Sequence, residues 1–298
     1  MDNFSNKQAV SKIQAYIEKN IKKRMSLYEI ANIAGYSPGH MSKIFKQYTG
    51  KTIFDYMRAL RMSKAALTLR DEKIAVIDVA LDFMFDSHEG FTRAFAKEFG
   101  ITPKKYAVNA PPLKLFMPYP IIEEKKQGSD LMEDGVKTEM VFIQVVERVK
   151  RKAIIKRGIK ATNYFEYCDD VGCDVWGVLC SIKDAINEPM GMWLPRRSID
   201  EGTSTYVQGV EVKDDFNGQV PGGYELISLK SCKMMIFQEQ KYDDSDFENE
   251  VLKVMEAVEN YDPSLFGFEW AYRDGPRFQF EPQGSRGYIE GKPVRQII

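Results

Sequence analysis

The stretch Leu27–Gly50 reads LYEIANIAGYSPGHMSKIFKQYTG, and its punctuation decides the fold of the first third of the chain. Ser26-Leu27-Tyr28-Glu29 has the spacing of a capping box, in which the serine and the glutamate each satisfy an orphan amide, so a short helix opens here and runs to about Ile33. Gly35 breaks it. Ser37-Pro38 restarts a helix with a cap and with a proline at the first position, where a missing N–H costs nothing. Along that second helix Met41, Ile44, Phe45 and Tyr48 recur at i, i+3, i+4 and i+7 and make one apolar face. Gly39, His40, Ser42, Lys43 and Lys46 are left pointing outward.

Two short helices joined by a tight turn, the second with polar and basic residues at its N-terminal end, form the pattern of a helix-turn-helix. The pattern is written twice. Met41-Ser42-Lys43-Ile44-Phe45 aligns with Phe91-Thr92-Arg93-Ala94-Phe95, and the same offset puts Gly50 on Gly100. Val79, Ala80 and Phe83 line one short helix; after Asp86 and Ser87 another runs to about Phe99 with Phe91, Phe95 and Phe99 inward. Thr92 and Arg93 thereby take the places of Ser42 and Lys43, with His88 and Glu89 one turn earlier. Arg93 can donate a bidentate pair to guanine and Lys43 can do so less rigidly, while Ser42, Thr92 and His88 can bond base edges or phosphates. Glu89 can accept from cytosine. Lys46, Lys97 and Arg61 suit phosphate oxygens and salt-dependent affinity.

The bulk numbers agree with this division. A chain of 298 residues, 44% hydrophobic and 29% charged, is expected to hold two soluble domains. No basic leader precedes an apolar run and no stretch approaches the ~20 apolar residues of a membrane span, so a cytoplasmic location without a membrane partner is expected. Residues 1–110 carry 18 Lys and Arg against 11 Asp and Glu, a net of +7; residues 111–298 carry 24 against 32, a net of −8. A basic first third suits a polyanion such as double-stranded DNA, and an acidic remainder suits cationic ligands. The proline-rich NAPPLKLFMPYPIIEEKKQGSDLMEDG separates them and reads as a linker, residues 108–136, between an all-α domain at 1–107 and a second domain at 137–298.

The second domain mixes strands and helices. VERVKRKAIIKRGI reads as a strand pair or one bent strand, YFEYCDDVGCDVWGVLCSIKDAI as a helix, and GMWLPRR and TYVQGVEV as strands. YELISLKSCKMMIFQEQ, the helix DSDFENEVLKVMEAVENY, GFEWAY, FQFEP and GYIEGKPV then repeat that order. The expectation is an α+β domain of two β-α-β-β units with a cleft between its halves, walled by Trp176, Trp193, Tyr206, Trp270, Tyr272, Phe278 and Phe280. Four cysteines, Cys168, Cys173, Cys180 and Cys232, are too sparse for a disulfide scaffold and too far from His40 and His88 for a zinc set, so no metal and no cofactor are expected.

Residues 10–107 resemble the DNA-binding domain of the AraC/XylS family of transcription regulators. The resemblance rests on LYEIANIAGYSPGHMSKIFKQYTG, on the linking helix FDYMRALRMSKAALTL with Tyr56, Arg61 and Ala65, and on VALDFMFDSHEGFTRAFAKEFGITPKKY. It implies that one long helix holds two helix-turn-helix units on one side of the duplex. The family usually has glycine at the second turn, and Met84 stands there. Residues 139–298 are similar to the GyrI-like effector-binding domain, on the order of elements and on TSTYVQGVEV, GFEWAY and RGYIEGKPV. That likeness implies a carboxylate facing an aromatic pocket: Glu269 is the residue that matches, with Glu290 a weaker match and Glu225 weaker still. A carboxylate among aromatics attracts organic cations. The reading is a regulator, not an enzyme, whose effector is a cationic or amphipathic aromatic molecule and whose output is DNA affinity or contact with RNA polymerase. The alternatives are a GyrI-like hydrolase with Glu269 as general base and a redox sensor built on Cys168 and Cys173.

Overall fold

Ser26, Ser37, Thr52, Ser87 and Thr102 each stand in extended backbone and accept a hydrogen bond from the amide three residues on, so that one capping device opens five helices of the first third. In a computed structural model, which describes residues 3–118, 141–172, 174–243 and 247–297, these are α2 (Leu27–Ile33), α3 (Pro38–Thr49), α4 (Ile53–Asp71), α6 (His88–Phe99) and α7 (Pro103–Asn109); α1 (Asn3–Lys19) and α5 (Val76–Asp82) complete the set. The capping box at α2 is only half as expected. Ser26 accepts from the Glu29 amide at 3.1 Å, but the Glu29 carboxylate accepts from the Tyr16 hydroxyl at 2.5 Å, tying α1 to α2. The apolar faces of α3 and α6 close on a single core with Ile13, Tyr56, Leu60 and Tyr106.

The two turns differ. Between α2 and α3 lie Ala34–Ser37, with Gly35 at φ 72°; between α5 and α6 lie Phe83–Ser87, one residue more, with Met84 at φ 64°. Met84 thus adopts the left-handed backbone that glycine reaches without strain, at a cost of roughly 1–2 kcal/mol. Phe83, fully packed, and Phe85, edge-on to Phe91 at 4.9 Å, hold the turn in place.

Two expectations are corrected here. Arg61, read as a phosphate contact, donates to the carbonyls of Ile21 (3.0 Å) and Lys23 (2.6 Å) and fastens the end of α1 to α4. The segment read as the start of the linker is packed: Ala110, Leu113 and Leu115 belong to the helical core, and the Phe116 amide donates to Ser63 at 2.7 Å. Proline forces extended backbone without preventing burial, and the leucines between the prolines have an apolar surface to reach. The remainder of that linker, residues 119–136, lies outside the described residues.

The chain divides into two units, residues 1–130 and 131–298. The second is built on an antiparallel sheet of β1 (Val141–Arg148), β2 (Arg151–Arg157), β3 (Met190–Trp193), β4 (Tyr206–Lys213), β5 (Glu225–Leu229), β6 (Cys232–Glu239), β7 (Phe268–Trp270), β8 (Arg277–Phe280) and β9 (Ile289–Gln296), in the order β1-β6-β9-β8-β3-β4-β2-β5, with β7 also on β9. Matching β1, β2, β3 and β4 in chain order to β5, β6, β8 and β9 and exchanging each pair reproduces this order from the other end, so the two halves of the unit are laid out alike. The single helix expected over 164–186 is two, α8 (Tyr164–Val171) and α9 (Val175–Cys180), because Gly172 leaves the helix at φ 88°. With α10 (Phe247–Glu259) they cover one face of the sheet, over Tyr206 and Val210 in one half and Met235 and Phe237 in the other. Met190, Met192, Met234 and Phe278 make a separate core on the other face.

Candidate functional site

In the helical unit α3 and α6 present equivalent faces. Ser37 and Ser87 cap them, accepting from His40 (3.4 Å) and Gly90 (3.1 Å), and Met41, Ile44 and Phe45 in one and Phe91 and Phe95 in the other are buried. Burial of those rows fixes what is left outside. Gly39, His40, Lys43, Lys46, His88, Glu89, Arg93 and Lys97 are exposed, and Ser42 and Thr92 are half-buried at matching positions. Among the described residues no carboxylate lies within ion-pair distance of Lys43, Lys46, Arg93 or Lys97. Such cations exchange solvent for phosphate or guanine without first breaking an internal bond. His40 stacks on Tyr36, ring centres 5.2 Å apart, which fixes its ring at the start of α3. Ser42 donates to the Pro38 carbonyl at 2.9 Å, which leaves its oxygen lone pairs to accept.

The sheet unit holds a second cluster, and it is not centred on Glu269. That residue is exposed on β7 and pairs with Arg295 at 2.5 Å, so neither the pocket carboxylate nor the general base read there is supported. A three-residue strand at the rim gives alternation nothing to face. Glu290, read as the weaker match, is fully buried, pairs with Arg277 Nε at 2.7 Å and accepts from the Tyr288 hydroxyl at 3.0 Å.

Register explains the assembly. Tyr206, Trp193 and Arg277 are direct partners across β4, β3 and β8, and one step along, Gln208, Gly191, Gln279 and Glu290 form the parallel row that ends on β9. Cross-strand partners share a face, so the two rows form one patch beneath the helices. Trp193 meets Tyr206 edge-on at 5.0 Å, and the Arg277 guanidinium lies 4.4 Å over the Trp193 ring. Tyr206 reaches across Gly191 to accept from Gln279 at 3.4 Å, in space that a Cβ at position 191 would occupy. Trp193 itself is anchored by its indole N–H on the Thr162 carbonyl at 2.8 Å. Beside the patch, buried Lys292 donates to Glu259 (2.7 Å) and to the Val258 carbonyl (3.2 Å) and lies over Trp270, which stacks with Tyr272. Burial, and then the Glu290 charge, hold the Tyr288 hydroxyl well above its ordinary range.

Of the aromatic walls expected, Trp193 and Tyr206 are in the patch and Trp270 and Tyr272 flank it. Phe280 packs with Phe278 on the opposite face, and Trp176, half-buried on α9, makes no ring contact with the patch among the described residues. Sequence reading missed Arg277, Gln279, Tyr288 and Lys292. The signal was present in the alternation of RFQF and YIEGK, whose even and odd positions sort onto two faces. Cys168 and Cys180 are half-buried, and burial raises the thiol of Cys232; Cys173, the other half of the redox reading, lies outside the described residues.

Residues 30–108 match the family model described as "Helix-turn-helix domain". Over 100 residues, 34% of this chain and 72% of the relative, the sequence is 38% identical to the transposon Tn10 TetD protein of Escherichia coli. It is 40% identical over 108 residues to transcriptional regulator Rob of Salmonella typhimurium, of whose length it covers 37%. A solved AraC-type DNA-binding-domain regulator from Chromobacterium violaceum overlaps 36% of this chain and 95% of its own at 25% identity, with a TM-score of 0.34. No helix of the described residues is long and apolar enough to cross a membrane. With the paired helix-turn-helix units on α4, the match to the helix-turn-helix family model and the identity to the Tn10 TetD protein over most of its length establish that the chain belongs to the AraC family of helix-turn-helix DNA-binding transcriptional regulators.

Proposed function

We propose that this protein is a one-component regulator in which α3 and α6 read an operator and the sheet unit, a GyrI-like module, binds a small effector that changes operator affinity or contact with RNA polymerase. The observation that carries the DNA reading is that two helices of the same length with the same cap turn polar rows outward, with Ser42-Lys43 on one at the positions of Thr92-Arg93 on the other, and with His40 and Lys46 beside the first pair and His88, Glu89 and Lys97 beside the second. Arg93 and Lys43 serve as base readers and Lys46 and Lys97 as phosphate contacts. Selection of binding sites from random duplexes, followed by footprinting, tests it: two protected segments in adjacent major grooves are expected, and a single protected segment would remove α6 from recognition.

For the effector, Glu290 with Trp193, Tyr206, Tyr288 and Gln279 supplies what a cation-binding site needs, a dry carboxylate among ring faces. The palindromic strand order supports the GyrI-like reading, since it places this patch where the two halves of the sheet meet. A binding module suits it better than an enzyme, because Glu290 is committed to Arg277 and Tyr288 and is not poised to move a proton. Titration of the full chain with tetraphenylphosphonium, followed by tryptophan fluorescence, tests the site. Binding that Glu290→Gln weakens and Glu269→Gln leaves alone is expected; the reverse pattern would return the site to β7.

A further inference from the structure

We propose that Arg277 is the resident cation of the sheet site: its guanidinium fills the position at which a positively charged effector would meet Glu290 and Trp193, so an effector binds by displacing it. The inference rests on the effector reading above and specifies how that site is held before a ligand arrives.

The geometry is that of a bound ligand rather than of a structural salt bridge alone. Arg277 donates from Nη2 to one oxygen of Glu290 (3.1 Å) and brings Nε to ion-pair distance of the other (2.7 Å), a charge-assisted contact between a planar cation and a carboxylate. Its remaining nitrogen, Nη1, faces Glu259 at 3.8 Å. The plane above is closed by the Trp193 ring. A carboxylate below, an aromatic face above and a second acid at the side form the surroundings that recognise organic cations. All three nitrogens lie within ion-pair distance of a carboxylate, so the surroundings of Arg277 suit a cation and repel an anionic effector.

Burial shows how displacement is possible. The Glu290 side chain is 0% exposed, whereas that of Arg277 is 20% exposed, so the arginine lies at the mouth of the site with the carboxylate behind it. Its neighbour Lys292 is not such a plug, being 1% exposed and tied to Glu259 and to the backbone of α10. Once Arg277 swings out, Glu290 is a buried unpaired charge, which is costly unless another cation replaces it. The site is therefore either plugged or occupied, and apparent affinity is lowered by the fraction of molecules in which the arginine is out. An effector that outcompetes Arg277 must be a delocalised cation with an aromatic or guanidinium plane; a neutral aromatic gains nothing from Glu290.

Full-length wild type, Arg277→Ala, Arg277→Met, Glu290→Gln and the Arg277→Ala/Glu290→Gln double variant test this with three probes: tetraphenylphosphonium, neutral triphenylphosphine oxide and ethylguanidinium. Tryptophan fluorescence reads the first two and thermal melting the third, with circular dichroism as the control for folding. Removing the plug should tighten tetraphenylphosphonium binding by about tenfold or more, leave triphenylphosphine oxide unchanged, and let ethylguanidinium raise the melting temperature of Arg277→Ala but not of wild type. Both gains should vanish in the double variant. Arg277→Met, which keeps the aliphatic stem over the indole, gives the same answer if Arg277→Ala does not fold. Tight wild-type binding of the phosphonium that Glu290→Gln abolishes and Arg277 variants do not improve would keep the site and overturn the resident cation. Absence of phosphonium binding by any folded variant would overturn both readings.

Discussion

The residues offered to DNA and those offered to an effector are kept in opposite states. Lys43, Lys46, Arg93 and Lys97 stand in solvent with no internal counter-charge among the described residues, while Glu290, Arg277, Tyr288, Gln279 and Tyr206 are packed and bonded to one another. The difference follows from what each surface would meet. A duplex brings its own charge and displaces only water and counterions, so side chains that read it work best uncommitted. A small effector must enter a sheet face that is already dry and whose polar groups must be satisfied while it is absent. The first kind of site acts as it stands, and the second has to be opened.

The largest test removes the support of the exposed surface. A fragment ending at residue 110 loses Leu113 and Leu115 from the helical core and should be roughly 2–5 kcal/mol less stable than one ending at residue 118, measured by urea unfolding; equal stability would mean that the segment does not hold the domain together. Within the buried cluster, Glu290→Gln should destabilise the sheet unit by about 3 kcal/mol, since it strands Arg277, whereas Glu269→Gln, at an exposed pair, should leave the unfolding midpoint close to wild type. Similar losses in both would erase the contrast between the two carboxylates.

A smaller effect follows from pH. Burial, aided by a hydrogen bond that the protonated Glu239 carboxyl donates to Glu250, raises the Glu239 carboxyl to about 7. Between its ordinary range and that value the folded chain holds a proton that the unfolded chain releases, so stability is highest at acidic pH and falls as pH rises through the window. The expected loss is about 1–3 kcal/mol between pH 5 and 7; melting curves across that window should flatten in Glu239→Gln, and an unchanged slope would show that the residue is not the source. The smallest effect lies in the second turn. Met84→Gly should stabilise the helical unit by about 1 kcal/mol by removing the left-handed strain, without changing operator preference. A loss of stability would mean that the side chain, and not Phe83 and Phe85, holds the turn.

Exposure also governs what the sequence reveals. Caps, a proline at the first helical position and a 3.6-residue apolar period are local signals, and from them α2, α3, α6 and their outward faces are legible. A patch made by register is not local. Arg277 meets Trp193 and Glu290 because β8 lies between β9, which follows it in the chain, and β3, which stands far before it. Glu269 was singled out by the likeness of GFEWAY to the GyrI-like pattern, and a likeness of sequence does not say that β7 stops after three residues with Glu269 turned to Arg295. The linker was misjudged because prolines advertise extended backbone but say nothing of what the leucines between them touch.

The most direct test of the account compares two double variants of the full chain on a selected operator and on random duplex, across a salt series. Lys43→Ala with Arg93→Ala should lose about 1–3 kcal/mol of discrimination per contact on the operator and move much less on random DNA. Lys46→Ala with Lys97→Ala should weaken both duplexes alike and reduce the salt slope by about 1 for each contact. Equal losses on operator and random DNA from both pairs would contradict the assignment of α3 and α6 as the reading helices.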